Sequence, residues 1–420
     1  MNVSRRIVFA LAIAAVAATA AFGQDEKPAS SFGIAFSGYI KTDIFYDTRQ
    51  TVNIREGHFL LYPKDPLLDP NGNDINAKAG FNILSIQTRL IGKITGPDAL
   101  GAKTSAYLET EFFGTSDADL NAFRLRHAYL RLNWKKSELL IGQYWHPMFI
   151  GESYPDVVSF NTGAPFQPLN RSPQVRLIRT FGKVSLIATA LSQRDFVSNG
   201  PQGPSSVYLR NAALPEFNLR LQYAARNDAE KTETLAGAGV DALKLVPRLA
   251  TASGYRTDES VTSLAGMAYV KRKGQKWTFK AEGIYGSNLH HLTMIGGYAV
   301  RDVLQIPESD VWTYAPTNTL SLWTEAMSTG ERWQTGVFAG YSKNLGARRA
   351  IVNPGFERGG NIDQLYRISP RLIYNVGKIR FAGETELTGA SYGTPDGFGK
   401  VRGAKFVTNL RLLFAAYYFF

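Results

Sequence analysis

Beyond residue 23 one pattern recurs along the chain: a run of alternating apolar and polar side chains, bounded by Gly, Pro, Asn and Asp. The run FNLRLQY, residues 217 to 223, is the clearest. Phe217, Leu219, Leu221 and Tyr223 share one face, and Asn218, Arg220 and Gln222 the other, because successive strand side chains point to opposite sides. Sixteen strands are predicted on this basis, at 33–47, 80–94, 103–114, 122–134, 137–146, 174–181, 183–195, 216–226, 234–247, 261–273, 276–288, 318–328, 332–343, 363–376, 378–390 and 403–420. The connections between them alternate in length. KKS, FGK and NVGK are tight, whereas residues 48 to 79 and 147 to 173 are long. A soluble sandwich has no reason to sort its loops by parity, but transmembrane barrels carry short periplasmic turns and long outer loops. The expected fold class is therefore all-β: a transmembrane antiparallel up-and-down β-barrel of about 16 strands.

Two residue types sharpen this map. Of 19 prolines only Pro370 interrupts an expected strand, with Pro247 ending another. A closed barrel has no edge strand to host a proline, so Pro370 predicts a bulge. Trp134, Trp277 and Trp333 flank short turns while Trp145 and Trp323 sit at long-loop ends, the placement expected of two interfacial girdles.

The leader changes the compartment. MNVSRR is a basic start and IVFALAIAAVAATAAFG an apolar stretch ending in small residues, so residues 1 to 23 read as a secretory signal peptide, cleaved after Ala20 or Gly23. Residues 24 to 420 then form the barrel. The chain has no cysteine, which argues against a disulfide-stapled fold and against thiol chemistry. Loss of Arg5 and Arg6 with the leader leaves a net charge of +10. Such an excess suits an anionic membrane face or an anionic solute, and also nucleic acid. The last is set aside because the basic residues are spread over all the strands rather than gathered in a stripe.

The final strand sets the polarity of the wall. Phe406, Leu410, Leu412, Phe414, Ala416, Tyr418 and Phe420 share one face with Thr408, while Asn409 and Arg411 point the other way. The first face is long enough to cross a bilayer core when tilted, so the second is expected to tolerate water. An ending such as Tyr417, Tyr418, Phe419 and Phe420 resembles the C-terminal signature of Gram-negative outer-membrane proteins. RLRHAYLRLNW (124 to 134) followed by ELLIGQYWHPMF (138 to 149) resembles the fourth and fifth strands of DcaP-like and related porins. The resemblance implies a sixteen-stranded homotrimeric outer-membrane channel with loop 3, residues 147 to 172, folded into the lumen. It also implies recognition by the barrel-assembly machinery and contact with outer-membrane lipid and lipopolysaccharide.

Read strand by strand, the inward side carries Lys41, Arg89, Lys93, Arg131, Arg220, Lys280, Arg367, Arg371, Arg380 and Arg411. Against these stand Asp43, Glu109, Glu111, Glu282, Glu384 and Glu386. Charged rings in a narrow passage set ion preference, so a mild preference for anions is expected. Arg367, Arg371 and Arg380 make the densest basic patch, unless they pair with Glu384 and Glu386 as wall glue. Loop 3 is rich in proline and aromatic residues, unlike a floppy surface loop, and its Glu152 and Asp156 are expected to oppose the basic wall across the narrowest point.

Other chemistry finds little support. His290 and His291 are adjacent, so on a strand they face apart, and no Cys or carboxylate stands at ligand spacing; no metal is expected. His127 reads as a wall residue beside Tyr129 and Arg131, and His146 as a cap where loop 3 begins. There is no phosphate-binding glycine loop, and the one G-x-S-x-G string, Gly389 to Gly393, falls at the end of an expected strand rather than at a strand-to-helix turn, so neither catalysis nor a cofactor is expected. The function expected is passive diffusion of small hydrophilic solutes through the outer membrane. A substrate-specific organic-anion channel is the first alternative, and an outer-membrane hydrolase the second.

Overall fold

The computed structural model describes residues 32–306 and 309–420; the leader expected at 1 to 23 lies outside the described residues. The alternating runs are strands. The first half holds β1 (Gly33–Asp47), β2 (Thr51–Ile54), β3 (Phe59–Pro63), β4 (Gly80–Leu84), β5 (Arg89–Thr95), β6 (Lys103–Glu111), β7 (Arg124–Asn133), β8 (Ser137–Trp145), β9 (Arg171–Phe181) and β10 (Val184–Leu191). The second holds β11 (Glu216–Asn227), β12 (Thr232–Leu245), β13 (Val261–Lys273), β14 (Trp277–Ser287), β15 (Tyr298–Ile306), β16 (Ser309–Ser328), β17 (Trp333–Ala347), β18 (Val352–Gly355), β19 (Ile362–Val376), β20 (Ile379–Pro395) and β21 (Val401–Phe419).

Nineteen of these share one antiparallel sheet, in which β4 and β5 form one interrupted stave and β15 and β18 belong to loops, leaving a barrel of sixteen staves. Closure is made by β1 and β21, from Tyr39 opposite Phe419 to Asp47 opposite Arg411. Backbone bonds of 3.2 Å between Gly38 and Phe420, one in each direction, extend that seam to the last residue. Closure leaves no strand edge unpaired, which a barrel in lipid requires.

The outer surface is apolar along every stave. Phe217, Leu219 and Leu221 on β11, Leu264 and Val270 on β13, and Phe406, Leu412, Phe414 and Tyr418 on β21 are all exposed. Contiguous apolar surface on this scale is not kept in water, and the belt meets lipid. No described helix is long and apolar enough to cross a membrane; the strands do so.

Four expectations need correction. Pro370 produces no bulge: the register from Ile368 opposite Leu387 to Arg371 opposite Glu384 is unshifted. The ladder to β20 skips Ser369 and Pro370, while their pairing with β17 is intact, so the missing N–H costs one ladder bond rather than a residue insertion. Trp145 and Trp323 are not girdle residues. Trp323 is buried in the interior and Trp145 stacks on Phe149 at 4.0 Å. Several staves run longer than expected, taking in Pro173 and Pro316, and the last long loop shrinks to residues 396 to 400. Finally, the inward face is not uniformly wet. Leu413 and Ala415 on β21 and Ala382 on β20 point inward and join a buried apolar cluster with Phe59, Phe160 and Phe166.

Candidate functional site

The apolar cluster exists because two loops enter the barrel. Residues 48 to 79, between β1 and β4, contain the β2–β3 hairpin, whose His58, Phe59, Leu60 and Leu61 are buried. Residues 146 to 170, the third long connection, bury Phe149, Ile150, Val158, Phe160, Ala164 and Phe166. Phe160 stacks on Phe113 at 4.0 Å and packs edge-on against Phe59 at 5.8 Å. Phe166 lies on Gly340 of β17, where even a methyl group would come within 2.5 Å of the ring. Glycine at that position lets the loop approach the wall.

Wall charges hold the loop backbone. Glu384 accepts from the amides of Val158 (2.7 Å) and Ser159 (3.3 Å), Glu325 from Asp156 N (2.8 Å), and Glu386 from the Asn161 side chain (2.8 Å). Lys41 donates to Val158 O at 2.8 Å and Lys280 to Tyr154 O at 2.9 Å. Arg367 donates to Ala164 O and to Leu61 O, each at 2.8 Å, and so clamps both loops. Buried charges need such partners, and here loop peptides supply them.

The predicted basic residues therefore do not act as one group. Arg89 pairs with Glu111 (3.1 Å), Arg131 with Glu138 (3.1 Å), Arg371 with Glu325 (2.7 Å) and Arg411 with Asp47 (2.6 Å). Arg367 reaches Glu386 only at 3.6 Å, and Arg380 donates to Asn375 Oδ1 at 2.8 Å, so the expected Arg367–Arg371–Arg380 patch is divided among different partners. Of the loop carboxylates, Asp156 pairs with Lys280, while Glu152 is exposed and Lys271 donates to its carbonyl at 2.9 Å. Glu152, Asp156, Lys271, Lys273 and Lys280 border a cavity of about 560 Å³.

Sequence parity missed a second set. The register of β6 against β7 shifts between Glu109, opposite His127, and Thr110, opposite Leu125. The bulge turns Arg126 and His127 to the same side, so Arg124 and Arg126 point inward although strict alternation from Tyr129 and Arg131 puts them outside. Glu111 then receives Arg124 (2.6 Å) and Arg126 (2.7 Å) besides Arg89, and Asp195 receives Arg124 (3.1 Å) and Arg171 (2.5 Å). Burial alone raises the Asp195 carboxyl, but the Arg171 and Arg124 guanidinium groups outweigh it and hold it below the usual carboxylate value. In loop 1, burial pulls the His58 imidazole below its ordinary value, and its 2.7 Å bond to Asp43 opposes this only in part.

Arg176 and Arg220, both inward, have no carboxylate ion pair among the described residues. Arg176 on β9 donates to Trp145 O (2.8 Å) and Gln174 Oε1 (3.0 Å), and Arg220 on β11 to Pro147 O (3.2 Å). They are electrostatic neighbours of one another, and Arg176 is also one of Glu152 and Glu138. Arg176 stacks over Tyr144 (5.1 Å), Arg220 over Tyr269 (5.8 Å) and Arg131 over Tyr129 (5.3 Å).

The histidines differ from expectation. His290 and His291 lie in a 3-10 turn, not a strand, and both are buried. Tertiary folding supplies the carboxylate absent from the local sequence: Glu216 Oε1 is 2.9 Å from Nε2 of both His146 and His291. His127 is the buried wall residue expected, and His146 does accept from the Met148 amide (3.2 Å) where loop 3 begins.

No protein-family model and no curated protein matches the chain. Among solved structures it is similar to the outer membrane channel DcaP of Acinetobacter baumannii, with a TM-score of 0.66 at 16% identity, covering 95% of this chain and 99% of that one. It is also similar to the anion-selective porin from Comamonas acidovorans, with a TM-score of 0.52 at 9% identity over 93% of this chain and 100% of that one. A trimer form of OmpT, an outer membrane protein of Vibrio cholerae, gives a TM-score of 0.52 at 12% identity over 93% and 100%. At these identities the likeness is one of fold: the chain has the barrel architecture of outer-membrane porins.

Proposed function

We propose that this chain is a porin of the Gram-negative outer membrane, passing small hydrophilic solutes by passive diffusion with a mild preference for anions. The observation that carries the preference is the pair Arg176 and Arg220, inward guanidinium groups without a carboxylate partner. A positive field inside a narrow, low-dielectric passage raises the local concentration of anions. Paired charges such as Arg411–Asp47 cancel and contribute little to that field. The porin architecture of the similar structures supports a channel rather than an enzyme, and the trimer form of OmpT supports a homotrimer. The apolar belt then contacts lipid and lipopolysaccharide, and the aromatic end at Tyr417 to Phe420 serves recognition by the barrel-assembly machinery.

Reversal potentials of the purified protein in planar bilayers under a salt gradient test this reading. The wild type is expected to be anion-selective, and the double variant Arg176→Gln/Arg220→Gln to shift towards cations. Cation selectivity in the wild type sinks the proposal. A second reading, a channel specific for organic anions, is favoured by the packing of Phe59, Phe160 and Phe166 inside the barrel, which leaves less room than a wide diffusion pore needs. Competitive block of the current by one organic anion and not by others distinguishes it.

A further inference from the structure

We propose that His146, Glu216 and His291 form a buried binding site for one divalent cation of the zinc class, tying loop 3 and the connection between β14 and β16 to the wall. The three come from different parts of the chain. His146 directly follows β8, Glu216 opens β11, and His291 lies in the turn His290–Leu292 of the connection between β14 and β16. All three stand at the loop-side rim.

Their candidate ligand atoms lie within 4.8 Å of one another, and all three residues are buried, at 0%, 0% and 2% exposure. Two imidazole nitrogens and a carboxylate oxygen form a three-ligand set that zinc accepts, with a fourth position left for another donor. Asp241 on β12, 4% exposed, is an electrostatic neighbour of Glu216 and accepts from Asn218 Nδ2 at 3.0 Å. It can serve as that donor or as an outer partner.

The charge arrangement favours a cation. Glu216 and Asp241 bring two carboxyl groups together in the interior, and among the described residues neither has a Lys or Arg ion-pair partner. Glu111 and Glu325, buried carboxylates elsewhere in this barrel, are matched by guanidinium or ammonium groups, while Glu384 is held by loop amides and Glu282 by Trp323 Nε1. Glu216 Oε2 and His291 Nδ1 also lack hydrogen-bond partners. One contact opposes binding. The Met148 amide donates to His146 Nδ1 at 3.2 Å, which puts the ring proton on Nε2. Coordination at Nε2 moves that proton to Nδ1 and gives up this long bond. His291 has no such conflict.

The site would brace a junction already joined by Leu169 N to Leu292 O (2.9 Å) and by Asn170 Nδ2 to His291 O (2.8 Å). A bound cation therefore fixes both ends of the segment that fills the lumen.

The test is zinc binding by the purified, folded full-length protein, with metal content measured by mass spectrometry after chelation and reloading. About one zinc per chain is expected in the wild type. Glu216→Gln and His291→Gln should lose it by more than about tenfold, the loss that even outer partners of a metal site cause. His290→Gln should retain it, because His290 faces Val197 O at 3.2 Å instead. Heat-modifiable gel migration reports whether each variant folds. X-ray absorption of the zinc-loaded wild type needs no variant: two imidazole nitrogens support the site, and an all-oxygen shell overturns it. Absence of stoichiometric zinc in the wild type, or its retention in both folded ligand variants, also overturns it.

Discussion

On β14, β16, β19 and β20 the inward charges end on loop atoms: Lys280 on Tyr154 O, Glu325 on Asp156 N, Arg367 on Ala164 O and Glu384 on two amides of loop 3. On β9 and β11, across the barrel, Arg176 and Arg220 meet carbonyls and an amide but no carboxylate. The two walls use similar residues to different ends. Where a buried charge is matched by an opposite charge its field is cancelled; where it meets only neutral groups, as Arg220 does at Pro147 O of loop 3, it anchors structure and its field remains for a passing ion. A count of inward arginines cannot separate the two uses, because the difference lies in their partners.

Removing the anchored element is the strongest way to break this contrast. Deletion of residues 152 to 166 takes Phe160 and Phe166 out of the lumen, and single-channel conductance is expected to rise several-fold. Selectivity should stay anionic if Arg176 and Arg220 set it. Unchanged conductance and selectivity in planar bilayers would show that this segment does not restrict the pore.

A gentler change acts on one anchor. Glu384→Gln removes the charge that receives the Val158 and Ser159 amides, a cost of about 1–3 kcal/mol to local docking. Hydrogen exchange at those amides should accelerate on the order of 10- to 100-fold. Amides elsewhere on β20 should be little changed, and equal acceleration throughout would mean global destabilisation instead.

The smallest effect is a pH dependence at loop 1. His58 has a lowered pKa when docked, so the docked hairpin binds its proton less readily than a released one. Docking is therefore fully stable above about pH 6.5 and weakens as pH falls from there towards the lower docked value. Lys41 and Arg411 also disfavour a second positive charge there, while Asp43 favours it. Channel noise or open probability should rise on mild acidification, and His58→Gln should flatten that response.

Much of the architecture was legible along the chain. Each of the sixteen predicted strands has a counterpart, and β1 and β13 match at both ends, because alternation continues as long as one face meets lipid and the other does not. The alternation on β21 likewise revealed that Arg411 points inward and Phe414 outward. Reasoning by parity failed at β7, where one bulge reverses the direction of Arg124 and Arg126; no local proline or glycine marks it. Pro370, which did mark a bulge by sequence, keeps its register.

The candidate sites show where local information ends. Arg220 was identified as inward, but that it lacks a carboxylate while Arg371 finds Glu325 depends on loop and strand neighbours distant in sequence. His146, Glu216 and His291 are separated by whole strands and meet only because the barrel closes and its loops turn back into it. The sequence by itself determined the period of the strands, the parity of the loops and the lipid-facing belt, since each rests on neighbours a few residues apart. Tertiary structure alone decided which charges are cancelled, what fills the lumen and which ligands converge, because Coulomb and packing energies depend on distance in space.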